Sequence, residues 1–242
     1  MSLTPFVHLD ASLAGAGCGA RFALSSQERQ HLTRVLRLPP GATLEVADGQ
    51  GWVAAAELLT DGVRLTGDAL RQPERRPRLV LAQALPKGRK LDEVLRQATE
   101  LGVDEIRVVT TARSVPRLED ARVAKATTRW QAVVRAASEQ ARRSRRPEVT
   151  GPLALERLAR DDELLLIAHP GAPGLPTVAE TLVGAEAVVL AVGPEGGFRD
   201  SEVADAVAGG ALAVGLGDAV LRTEHAGAAG LAVLAAAVGR WG

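Results

Sequence analysis

Aromatic residues make up only 2% of the 242-residue chain and tyrosine is absent. That argues against a single-stranded nucleic-acid surface built from stacked rings, so any such contact falls to arginine. One cysteine, Cys18, excludes an internal disulfide and a zinc site of clustered cysteines, and fits a reducing, cytoplasmic setting. No apolar run approaches the roughly 20 residues that span a bilayer, and Met1 to Asp10 has no basic stretch ahead of an apolar core. Neither a membrane span nor a secretory leader is expected. Lysine and arginine number 29, as do aspartate and glutamate, so the chain is no polycation overall. Neither G-x-G-x-x-G nor G-x-x-x-x-G-K-[ST] occurs, which argues against a dinucleotide-binding turn and a P-loop.

What is present is ample apolar material, 46% of residues, enough for a core in one or two domains. From Thr43 to Leu70 the pattern is β: Leu44 and Val46 alternate with polar neighbours, Trp52 to Leu58 forms a second run, and Val63 and Leu65 alternate again. Asp48-Gly49 and Asp61-Gly62 supply the turns, which suggests a small barrel. A helix-like segment, Gln27 to Leu38, precedes it and is broken by Pro39-Pro40-Gly41. Arg34 and Arg37 lie one helical turn apart and could share a face toward phosphate, whereas His31 reads first as a packing or capping residue.

After Pro73 to Pro77 strands and helices alternate. Leu79 to Leu85 is strand-like, Leu91, Val94, Leu95, Ala98 and Leu101 recur at helical spacing, and Glu105 to Thr110 begins another strand. A long helix with Trp130, Val133, Val134 and Ala137 on one stripe follows, then apolar runs at Leu164 to Ala168, Ala187 to Val192 and Ala211 to Leu216. This grammar predicts a parallel α/β sheet. The last two runs open into glycine-bearing turns, Gly193-Pro194-Glu195-Gly196-Gly197-Phe198 and Gly217 to Ala226, at strand ends where open α/β sheets bind ligands. Basic residues gather at two places: Arg71, Arg75, Arg76, Arg78, Lys87, Arg89 and Lys90, and then Arg142, Arg143, Arg145 and Arg146. Each cluster reads either as a solvated face or as phosphate contact, and two together favour the latter.

The two glycine turns closely resemble those of the RsmE family in the SPOUT superfamily, and the likeness covers nearly the whole chain. Glu139, Gln140, Arg143, Arg145 and Pro147 match the family's Glu-Gln-x-x-Arg-x-Arg-x-Pro element, and Thr99 to Gly102 and Arg113-Ser114 match others. The resemblance implies methylation of uridine N3 in the decoding region of 16S ribosomal RNA with S-adenosyl-L-methionine. It implies a PUA-like RNA-binding β-barrel over residues 1–72 and a methyltransferase domain over 73–242, whose parallel sheet ends in a trefoil knot. A homodimer acting on 16S RNA in the small ribosomal subunit is also implied. The terminal helix, with Leu231, Val233, Leu234 and Val238 among alanines, is apolar around most of its circumference and offers a physical reason for one.

By the same resemblance the cofactor pocket is lined by His169, Leu190, Gly193, Pro194, Glu195, Gly196 and Gly197 from the first part of the domain. Leu216, Gly217, Leu221, Arg222, Thr223 and Ala226 complete it. Arg34, Arg37, Lys87, Arg89, Arg113, Gln140, Arg143 and Arg145 are the expected RNA contacts. On a helix, Arg135, Glu139 and Arg143 alternatively form a surface ladder of ion pairs. Glu195 and Glu224 each stand to accept the N3 proton, to face the sulfonium or to cap a turn. Arg222 suits a developing uracil anion or a phosphate, and Thr223 a hydrogen bond to base or cofactor. Three positions depart from the family pattern: Gln97 and Ala219 replace basic residues, and His225 replaces a threonine, reading first as a packed helix-start histidine and second as an alternative base. A noncatalytic RNA-binding SPOUT-like protein, or a small-molecule α/β enzyme, would share this outline; cofactor binding and RNA methylation separate them.

Overall fold

The computed structural model describes residues 4–88, 90–114, 120–155, 158, 160–182 and 184–241, with backbone alone at 120–122. It divides into two compact units, Met1–Glu74 with Ser138–Arg146, and Arg75–Ala137 with Pro147–Gly242. Among the described residues no helix is long and apolar enough to cross a membrane.

The first unit holds six strands: β1 (Phe6–His8), β2 (Arg21–Ala23), β3 (Thr43–Ala47), β4 (Trp52–Leu58), β5 (Gly62–Leu65) and β6 (Leu70–Arg71). They run in the order β1-β3-β4-β5-β2 with β6 beside β4, parallel only between β1 and β3. The period-two pattern places Leu44, Val46, Ala54, Ala56, Val63 and Leu65 in one core. Helix α1 (Ser26–Gln30) starts on a capping box: the Ser25 hydroxyl accepts from Glu28 N, and the Glu28 carboxylate accepts from Ser25 N at 2.7 Å. The expected single helix from Gln27 to Leu38 is not continuous. It passes into a π-helical turn, His31–Val35, and Arg37 then takes a left-handed φ of 55°. Arg34 and Arg37 are exposed but do not share an α-helical face.

The segment Ser138–Arg146 was expected in the carboxyl-terminal domain, but it packs with the first unit. His8 N donates to Glu139 Oε1 at 3.0 Å, and His8 Nε2 donates to Arg143 O at 2.7 Å. Arg142 pairs with Glu45, donates to Thr4 O and lies 5.4 Å from the Phe6 ring centroid. Arg146 N donates to Gly49 O, and Gly51 N donates to Ser144 O. The turn has glycine here for room and for left-handed φ: a Cβ at Gly51 would fall 2.6 Å from Arg145 Cζ. Arg143 lies past the helix end at Gln140, so it is not the third helical position after Arg135 and Glu139.

The second unit is a wholly parallel six-stranded sheet. Its strands are β7 (Arg78–Ala84), β8 (Glu105–Thr110), β9 (Glu148–Ala154), β10 (Glu163–Ala168), β11 (Ala187–Val192) and β12 (Leu212–Val214), in the order β12-β10-β11-β7-β8-β9. Helices α2 (Lys90–Glu100), α3 (Asp120–Gln140), α4 (Asp200–Ala208) and α5 (Thr223–Ala237) connect or follow them, with a 3-10 helix at Leu175–Leu182. Alternation splits β11 between two cores: Val188, Leu190 and Val192 join α2 and α5, whereas Val189 and Ala191 join Phe198 and Val203. Both faces are covered, which is why the strand reads as a continuous apolar run.

At the amino-terminal edge of this sheet Arg107, 2% exposed, makes paired hydrogen bonds to Glu105 at 2.7 and 3.0 Å and to Glu163 at 2.6 and 2.7 Å. Burial opposes ionisation of each carboxylate, but bonds from Arg107 override it and hold both below the ordinary range.

Candidate active site

A cavity of about 650 Å³ lies at the carboxyl edge of the parallel sheet. Segments following five of the six strands line it: Lys90 after β7, Arg113 after β8, Ala168 to Gly171 after β10, Val192 to Phe198 after β11, and Leu216 to Glu224 with Ala226 after β12. The sheet order explains the convergence. The chain runs outward from β7 through β8 to β9, then crosses to β10 and inserts β11 beside β7. Reversals of this kind leave a crevice at strand ends.

The Gly193 turn is closed on itself. Gly197 N donates to Pro194 O at 2.8 Å, and a Cβ at Gly193 would lie 3.0 Å from Gly197 C and from Phe198 N. A side chain there would press on backbone more tightly than ordinary contact allows, and the loop would have to give. Arg113 latches the same turn, with Nη1 donating to Gly196 O at 2.7 Å and to Phe198 O at 3.3 Å. Thr223, 5% exposed at the start of α5, donates its hydroxyl to Gly193 O at 2.7 Å and accepts from Gln83 Nε2 at 3.0 Å.

Two carboxylates from different turns meet on one lysine: Lys90 Nζ is 3.3 Å from Glu195 Oε1 and 3.1 Å from Glu224 Oε2. Burial disfavours the Glu195 carboxylate, but bonds from its own N–H, Lys87 N–H and the Lys90 ammonium outweigh it and lower its pKa. Glu224 is lowered first by its own N–H and then by Lys90, against burial. Lys90 is raised in turn, chiefly by its bond to Glu224. All three are charged at neutral pH.

Of the sequence candidates, His169, Gly193, Pro194, Glu195, Gly196, Gly197, Leu216, Gly217, Leu221, Arg222, Thr223, Ala226 and Arg113 line this one cavity. Leu190 does not; its side chain is wholly buried toward α5, where Gly230 leaves it space. Arg222 is exposed at the rim. His225 is exposed too but lies outside the lining, while Ala219 is in it and Gln97 is bonded to Glu93. Lys87 is exposed and gives its backbone N–H to Glu195, and Arg89 lies outside the described residues. Arg34, Arg37, Gln140, Arg143 and Arg145 belong to the first unit, where Arg145 is 3.5 Å from Glu74. The first basic cluster is largely paired: Arg71 with Glu74, Arg76 with Glu186, Arg78 with Glu105, and Lys90 as above. Sequence reasoning did not assign Lys90, Asp200, Asp218 or Val220 to the cavity, although Val220 stands 87% exposed at its mouth.

The RNA methyltransferase domain family model matches residues 73–235, so the parallel unit and its cavity are of the RNA methyltransferase class. Ribosomal RNA small subunit methyltransferase E of Mycobacterium bovis is 34% identical, covering 92% of this chain and 89% of its own. The Synechocystis protein of that name is 33% identical over 88% and 72%. Among solved structures, a putative methyltransferase from Legionella pneumophila with bound S-adenosylmethionine matches at TM-score 0.86 and 30% identity, covering 98% of each chain. The ribosomal RNA small subunit methyltransferase E of Neisseria gonorrhoeae bound to S-adenosylmethionine also matches at TM-score 0.86, with 28% identity over 97% and 98%. The chain belongs to the ribosomal RNA small subunit methyltransferase E, or RsmE, family.

Proposed function

We propose that this protein transfers a methyl group from S-adenosyl-L-methionine to N3 of a uridine in the decoding region of 16S ribosomal RNA, in the cytoplasm and on the small subunit. The observation that carries the reading is the convergence of both glycine turns on one cavity at a sheet reversal. Its volume is within the range of small-molecule sites, roughly 300–1,000 Å³. The residues suit the cofactor. Gly193, Gly196, Gly197 and Gly217 bring bare backbone to the lining, and Leu216, Leu221 and Ala226 offer apolar contact beside His169. Glu195, Asp200, Asp218 and Glu224 outnumber Lys90, Arg113 and Arg222, which suits a cationic ligand. When bound, the cofactor supplies a methyl group already activated on a sulfonium.

The chain's own tasks are placement and charge. Carboxylates held below their ordinary pKa are poor acceptors for an imide proton, so Glu195 and Glu224 serve as fixed anions facing the cation. Arg222 at the rim is placed to stabilise the uracil anion or a neighbouring phosphate. Thr223 has its proton committed to Gly193 O and acts as a brace.

The finer architecture belongs to the same proposal. The β-rich unit around residues 1–72 is a PUA-like RNA-binding barrel, with Arg34 and Arg37 exposed on it, and residues 73–242 form the SPOUT domain. Insertion of β11 between β10 and β7, followed by α5, supports a carboxyl-terminal trefoil knot. Helix α5 buries Ala226, Gly230, Leu231, Leu234 and Ala235 while Val233, Ala236 and Ala237 remain exposed, an apolar second face that supports a homodimer. Sedimentation at micromolar concentration tests the dimer. Mapping N3-methyluridine in 16S RNA from cells lacking the protein tests the reaction: the modification should disappear, and its persistence at every site would overturn the reading.

A further inference from the structure

Strand β7 is apolar at every buried position but one. Gln83 is fully buried on the sheet face that also carries Leu79 and Leu81. Its amide nitrogen donates to Thr223 Oγ1 at 3.0 Å and to Ala84 O at 3.2 Å, and its Oε1 is buried with no hydrogen-bond partner among the described residues. That oxygen lies against Gly227, where a Cβ would approach it to 3.3 Å. A glycine in the first turns of α5 therefore leaves the space the amide occupies, at the expense of helix propensity.

Fold stability does not account for this arrangement. A buried amide oxygen without a donor destabilises, and an apolar side chain of similar shape would serve the core as well or better. What the amide does supply is direction. Its N–H fixes one lone pair of Thr223 Oγ1, which leaves the hydroxyl proton aimed at Gly193 O, 2.7 Å away. Through two hydrogen bonds, β7, the first residue of α5 and the opening residue of the Gly193 turn are held in one register. Thr223 and Gly193 both line the cavity, and Gln83 does not.

We infer that Gln83 is a positioning residue for the cofactor cavity, acting through Thr223 to hold the Gly193 turn and the start of α5 in their binding geometry. The inference rests on the proposed S-adenosylmethionine site. Isothermal titration with S-adenosylmethionine and thermal melting of the full chain test it, using Gln83→Leu, Gln83→Met, Thr223→Val and the double variant Gln83→Leu with Thr223→Val. Loss of one buried hydrogen bond predicts cofactor affinity about five- to tenfold weaker in both Gln83 variants, with melting temperature unchanged or raised. In the Thr223→Val background, Gln83→Leu should have no further effect on affinity, because the path it uses is gone. Wild-type affinity in folded Gln83→Leu, or full additivity in the double variant, would overturn the inference and leave the cofactor site standing. Failure of the wild type to bind S-adenosylmethionine would instead remove the site, and the inference with it.

Discussion

Lys90 illustrates how much of this site depends on single side chains. Its ammonium holds the carboxylates of two separate turns, and both are lowered partly on its account. A carboxylate with a depressed pKa keeps its charge as pH falls, until the pH passes through the lowered value. Replacing Lys90 with Met removes that support, so both carboxylates should protonate at higher pH. S-adenosylmethionine affinity in the variant is therefore expected to fall off at a higher pH than in the wild type, measured by titration across the acid range. Superimposable profiles would show that Lys90 does not govern these charges. In the sequence Lys90 was one of a run of basic residues and read as phosphate contact. Its partners lie 105 and 134 positions away and only the fold brings them near, whereas the glycines of the two turns were legible because backbone need leaves a local signature. Thr223 was legible as a site residue, but its engagement by Gln83 was not, since a glutamine within an apolar run gives no sign of what it faces.

At the level of elements, the turn after β11 distinguishes two glycines that look alike in sequence. A Cβ at Gly193 meets backbone atoms at 3.0 Å, whereas one at Gly196 meets Cδ of the Arg113 side chain at 3.3 Å, which has to give by only a few tenths of an ångström and can keep its hydrogen bond to Gly196 O. Gly193→Ala is expected to weaken cofactor binding by tenfold or more, a change of about 1.4 kcal/mol, with Gly196→Ala within about threefold of wild type. Calorimetry on both checks this, and equal affinities would place the turn outside the binding surface. The opposite edge of the sheet carries a stability device. Arg107 on β8 joins Glu105 on its own strand to Glu163 at the start of β10, two strands away from β8's neighbour β7. Removing one partner of a buried ion pair costs roughly 3 kcal/mol, so Glu163→Gln should lower the melting temperature near neutral pH. Both carboxylates are lowered in the fold, so wild-type stability is complete above their unfolded pKa and declines as pH falls through the folded values. The variant should lose less stability over that acid range.

Five of the six strands of the parallel sheet were legible as elements because each is a short, mainly apolar run; β9 was not, since Gly151-Pro152 interrupts its pattern. β1 and β2 were not. Each has only three residues, and β2 alternates exposed with half-buried positions, so neither leaves a periodic trace. The helix before β3 was legible from Gln27 to Gln30 and misread beyond, because the switch to π-helical bonding leaves the local composition unchanged.

For the whole molecule, the arginines divide by what they touch. Arg145 lies against the Gly49 to Gly51 turn and near Glu74, whereas Arg34 and Arg37 are exposed on the first unit. Arg34→Ala and Arg37→Ala are expected each to reduce the salt slope of RNA binding by about 0.7, the counterion release for one phosphate contact on a single strand. Arg145→Ala should leave the slope unchanged and lower stability. Filter-binding titrations at several salt concentrations, with melts of the same variants, separate the two. A lost slope for Arg145 would return it to the RNA surface. The return of Ser138–Arg146 to the first unit also orders events on the ribosome. The amino-terminal 74 residues leave the exit tunnel without the piece that fills their glycine turn, and the 72 residues from there to Arg146 take on the order of 4–15 s to synthesise at about 5–20 residues per second. Throughout that interval the nascent amino-terminal unit is unfinished, and its completion follows the emergence of β7 and β8, the second unit's first two strands, instead of preceding it.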